Sequence, residues 1–124
     1  ITARALLADG QRAAALALRT THAADPRWPR YHEVQLHARL LDAELATTPA
    51  ERAAAQRGLE ALGDHLRRDG FTSARWEAEL GLARLAVASG DAARARTLVA
   101  TTAREATAAG FERLATAARA VAVR

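Results

Sequence analysis

Apolar residues return along this chain at helical rather than strand spacing. Val34, Ala38, Leu41 and Leu45 form one stripe, and Leu36, Leu40, Ala43 and Thr47 form a second beside it. The segment after residue 72 repeats the arrangement, with Ala78, Leu82 and Leu85 on one stripe and Trp76, Leu80, Ala83 and Val87 on the other. Two stripes predict helices covered on two sides. Between and beyond them lie segments with one main stripe: Ala55, Leu59, Leu62 and Leu66, then Ala95, Leu98, Val99 and Thr102. Inner helices sandwiched by neighbours, alternating with one-sided outer helices, describe a solenoid.

Punctuation residues divide the chain into about seven helices and no strand. Gly10 ends a short first helix near 2–9, and Asp25-Pro26 stops a second near 11–24. Pro29 starts a third that runs to about Thr47. Thr48-Pro49-Ala50-Glu51 reads as a capping box opening the fourth. Gly70 ends that helix, and Thr72 or Ser73 is expected to cap a fifth, to about Ser89. Asp91 suits the start of a sixth ending at Gly110, and a seventh fills 112–123.

The turns share a period. Gly10, Ala50 and Gly90 precede similar runs, and twenty residues later the same offset aligns Tyr31, Phe71 and Phe111. Ala3, Ala43 and Ala83 also recur every 40 residues. The three aromatics are therefore expected at equivalent hairpin junctions.

Leu82-Ala83, Gly90-Asp91, Ala95 and Leu98-Val99 resemble one tetratricopeptide unit. Ala3, Gly10, Ala15 and Leu18, followed by Asp25-Pro26, match the same pattern, whereas Thr48-Pro49-Ala50 departs from it. The period of 40 is longer than that family's usual unit and is similar to units in large bacterial signalling regulators. The resemblance implies an all-α, right-handed solenoid of antiparallel helical hairpins spanning 1–124 as one domain. A chain opening on Ile1 without Met is expected to be a fragment of a longer protein, and without a signal-peptide pattern a cytoplasmic setting is the expectation. The resemblance further implies a concave groove that receives a protein, a peptide or another domain of the same parent chain. His37, Glu44, Glu77 and Arg84 become the groove residues, with Glu44 opposite Arg84 as an inter-repeat ion pair. Trp28 and Tyr31 are candidate aromatic anchors. The alternative is an architectural spacer or homodimerisation segment. Exposed apolar surface around Ala3 and Leu6-Leu7 would favour a missing upstream repeat over a free end.

Composition narrows the chemistry. Alanine supplies 35 residues and the aromatics only five, as helices in close approach require. All 18 basic residues are Arg, a bias typical of GC-rich bacterial genomes. Net charge is only +4, with 14 acidic residues interspersed. The outer-helix arginines, Arg12, Arg19, Arg52, Arg67, Arg94 and Arg104, read as a solvated convex face paired in part with Glu60, Asp64 and Glu105. Nucleic acid is not the expected partner. No apolar run matches a membrane span.

Without cysteine there are no disulfides or thiolate metal sites. His32-Glu33-Val34-Gln35-Leu36-His37 imitates a zinc motif with one residue too many, which sets the two imidazoles about 140° apart around a helix. His22 and His65 stand apart from any nucleophilic constellation. The glycines are isolated, so no phosphate loop exists, and Gly63 and Gly81 within helices point to close helix approach. No catalytic residue, metal or cofactor is expected, and the chain reads as a non-enzyme. Trp76, at the head of its stripe, should be buried.

Overall fold

The structure, a computed structural model, describes residues 8–23 and 31–121. Those residues form six α-helices and no strand: α1 (Arg12–Ala23), α2 (His32–Leu45), α3 (Pro49–Arg68), α4 (Thr72–Ala88), α5 (Ala92–Ala108) and α6 (Glu112–Arg119). The expectations for Ala3, Leu6, Leu7, Asp25, Pro26, Trp28 and Pro29, and for a first helix near 2–9, fall largely or wholly outside the described residues.

Backbone hydrogen bonding explains where the helices stop. Gly70, Gly90 and Gly110 each follow a helix with φ near +80°: 77°, 81° and 83°. A side chain there would crowd the backbone, so glycine fits. Around Gly70, the Gly70 N–H donates to the Arg67 carbonyl and the Phe71 N–H to the Leu66 carbonyl. The same two bonds recur at Gly90–Asp91 and Gly110–Phe111. All three are Schellman motifs, spaced twenty residues apart. The α2–α3 junction lacks glycine and works differently. Ala46 is extended at φ −64°, ψ 127°, and the helix ends at Leu45 rather than near Thr47.

Helix starts are of two kinds. The Thr48 hydroxyl accepts from the Glu51 N–H at 3.1 Å, while the Glu51 carboxylate accepts from the Thr47 N–H at 3.3 Å, one residue earlier than an ideal capping box. Asp91 accepts from the Arg94 N–H at 3.2 Å. By contrast α4 is not capped by Thr72 or Ser73. Its N-cap is Phe71, without a side-chain cap bond, because the preceding turn has already placed that residue.

Each helix packs on the next in sequence, and α2 also meets α4 as α4 meets α6. The helix α4 is consequently buried on both sides, with Trp76, Ala78, Leu80, Leu82, Ala83 and Leu85 all inside. Its two-stripe pattern holds except at Val87, which is 38% exposed near the helix end. The stripe Ala55, Leu59, Leu62 and Leu66 is buried against α2 and α4. Burial of each such leucine contributes about 1.5–3 kcal/mol. Gly81 lies where α2, α3 and α4 converge. A Cβ there would stand 2.6 Å from Leu40 Cδ2 and 3.1 Å from Leu59 Cδ1. Gly63 does not mark a close approach, since a Cβ there would meet nothing within 4 Å.

Candidate functional site

The residues expected along a groove lie on α2 and α4. His37 and Glu44 on α2, and Glu77 and Arg84 on α4, are all exposed. Glu44 and Arg84 line one small pocket of about 70 Å³ over Leu40, Gly81 and Leu85. The offset of 40 residues thus brings them to the same concavity, but the expected Glu44–Arg84 ion pair does not form, since Arg84 makes no ion pair among the described residues. Glu77 faces onward to α6. It lines a cavity of about 700 Å³ with Phe111, Glu112, Arg113, Leu114 and Ala117.

The recurring aromatics occupy equivalent positions. Tyr31, Phe71 and Phe111 are the N-cap residues of α2, α4 and α6. Their carbonyls accept from the N–H groups of Gln35, Arg75 and Ala115. All three residues are exposed, at 54%, 40% and 46%. Phe71 stacks on His32 at 3.9 Å with an interplanar angle of 19°. Phe111 meets Trp76 edge-on at 5.3 Å. These contacts hold two of the rings in place while leaving surface uncovered.

Beneath Phe111 lies a polar cluster that the sequence does not announce. Trp76 is 3% exposed, and its indole N–H donates to Glu105 Oε2 at 2.9 Å. Arg75 donates to the same oxygen at 3.1 Å and to Glu79 Oε1 at 2.8 Å. The fully buried Thr102 hydroxyl donates to Glu79 Oε2 at 3.1 Å. The Arg67 guanidinium stands 3.7 Å from Glu79. Two carboxylates and two guanidiniums therefore join α3, α4 and α5. Only the Arg75–Glu79 spacing, one helical turn, is visible in sequence. The Trp76 indole, and then Arg75, hold the Glu105 carboxyl below the usual carboxylate range. Both Glu79 oxygens and Glu105 Oε2 are engaged by the protein itself, which is the arrangement of a structural joint.

One expected pairing of the arginines is present: Arg94 on α5 reaches Glu60 on α3 at 2.5 Å. That bond, with Gln56 donating at 3.0 Å, lowers the Glu60 pKa. Arg19 is not solvated: its side chain is 13% exposed and makes a two-point pair with Asp42 at 2.8 and 3.0 Å. Arg12 donates to the Leu45 carbonyl. Glu105 accepts from Trp76 and Arg75 on α4. Among the described residues no group of three or more His, Asp or Glu could hold a metal ion, and no helix is long and apolar enough to cross a membrane.

No protein-family model, curated protein or solved structure matches the chain.

Proposed function

We propose that this chain is a protein-interaction module: a right-handed, tetratricopeptide-like solenoid of helical hairpins with a 40-residue unit. It receives a peptide or a partner's helix along the wall formed by α2, α4 and α6. The observation that carries the reading is the succession of inner helices. The helix α2 packs on α4 and α4 on α6, with the repeat-related Glu44 and Arg84 opening on one shared concavity and Glu77 on a second between α4 and α6. Such a wall offers a partner charge patterning over an apolar floor, the arrangement that governs encounter and specificity. The proposal assigns the chain no catalytic step.

Peptides selected from a random display library against the purified protein would test it. Those that bind should lose about tenfold or more in affinity on Glu44→Arg or Arg84→Glu, and should be unaffected by Arg57→Glu on the outer helix α3. Selected peptides indifferent to both wall substitutions would refute the groove.

A further inference from the structure

The cavity between α4 and α6 has a chemistry more specific than the groove it belongs to. It is an open concavity of about 700 Å³ at the surface, suited to one side chain of a larger partner rather than to an enclosed small molecule. Its apolar floor is Phe111, Leu114 and Ala117. Phe111 is 46% exposed, yet its ring is fixed edge-on to the buried Trp76. A fixed, uncovered aromatic gives contact area without the cost of ordering a loose side chain.

The walls carry two carboxylates, Glu77 and Glu112, and one guanidinium, Arg113. Elsewhere the acids are largely occupied within the protein: Asp42 by Arg19, Glu60 by Arg94, and Glu79 and Glu105 by Arg75. Among the described residues, Glu77 and Glu112 make no ion pair or side-chain hydrogen bond. Glu112 and Arg113 are adjacent on α6 and so do not face each other. The cavity is thus locally acidic in a chain whose net charge is +4.

From this we infer that the cavity binds one basic side chain of an extended peptide, an arginine above all. The guanidinium would pair with Glu77 and Glu112, and its plane or stem would lie on Phe111. Arg113 on the same wall repels a second cation, which limits the cavity to a single basic residue flanked by neutral or acidic ones. Phosphate-bearing ligands are disfavoured by the same two carboxylates. The inference rests on the reading of the α2–α4–α6 wall as a peptide groove.

The test is an amide NMR titration of the whole chain with two capped heptapeptides, Ala-Leu-Ala-Arg-Ala-Leu-Ala and its counterpart with Glu replacing Arg. The arginine peptide should shift Glu77 and the residues from Gly110 to Ala117, and the glutamate peptide should not. Glu77→Gln combined with Glu112→Gln should raise the arginine peptide's Kd about tenfold, whereas Glu33→Gln on α2 should leave it unchanged. Both glutamates are exposed, so an unchanged melting temperature verifies that the double variant is folded. Equal binding of the two peptides, or indifference to the double substitution, would overturn the inference. Shifts confined to Gly81, Arg84 and their neighbours would overturn this site and leave the groove standing. Concentration-dependent shifts of the cavity residues without peptide would assign the cavity to a second copy of the chain and also overturn it. Shifts nowhere, with the library-selected peptides also silent, would dispose of groove and cavity together.

Discussion

Gly81 and Gly63 are both glycines inside helices, but they sit in opposite surroundings. A methyl group on Gly81 would press into Leu40 Cδ2 at 2.6 Å, with Leu59 close on its other side. Both leucines are themselves buried in the central cluster and have little room to turn. Gly81→Ala should therefore destabilise by about 1–3 kcal/mol, as overpacking does, despite alanine's better helix propensity. A methyl on Gly63 meets nothing within 4 Å. There propensity alone acts, and Gly63→Ala should stabilise by about 0.5–1 kcal/mol. Urea melts of the two variants should shift in opposite directions. If both shift the same way, the close approach at Gly81 is not what retains glycine there.

At the scale of elements, the joint between α4 and α5 depends on a charge. Glu105 accepts from both Trp76 and Arg75, and its folded pKa is lowered below 4.5. A depressed carboxylate pKa contributes stability that is present above the unfolded value and is lost as pH falls through the folded value. The stability difference between the native chain and Glu105→Gln should therefore be full near neutrality and should close below about pH 4.5. Trp76→Phe removes the indole donor while keeping most of the ring packing, and should reproduce part of that acid-sensitive difference. Melting curves across the acid range check both, and a difference constant with pH would sink the assignment. Much of this element was readable in advance. The stripes of α4 foretold its burial because helical periodicity maps directly onto faces. Thr72 misled because the Schellman turn, not cap chemistry, positions Phe71 at the helix start. Glu105 misled because an acidic residue among threonines and alanines reads as solvated. Nothing local reveals that the rotation of α5 aims it at Trp76. The meeting of Glu44 and Arg84 at one concavity was legible as a repeat offset. The Phe111 cavity was not, because it depends on where α6 settles against α4.

Across the whole molecule, burial is unevenly distributed, and stability should follow it. In α4 nine of seventeen residues are buried, and the helix is enclosed by α2, α3, α5 and α6. In α1, among the described side chains, Ala15 is buried, Leu18 packs partly on Leu41 and Leu45, and Leu16 is 54% exposed. What else ties α1 to its neighbour is polar: the Arg19–Asp42 pair and the Arg12 bond to the Leu45 carbonyl. A chain in which each helix touches mainly its neighbours opens locally rather than all at once. Amide exchange should therefore be slowest in α4, faster in α6, and fastest in α1. Asp42→Asn removes the charged half of the Arg19 pair, a two-point interaction with little solvent screening at Arg19. A loss of about 1.4 kcal/mol there corresponds to roughly tenfold faster exchange in α1. Exchange in α4 and α5 should hardly change, because neither helix shares the pair. If the substitution accelerates all helices equally, or if α1 exchanges as slowly as α4, the six helices open as one cooperative unit. Rigidity would then be uniform along the stack rather than graded from α1 to α4.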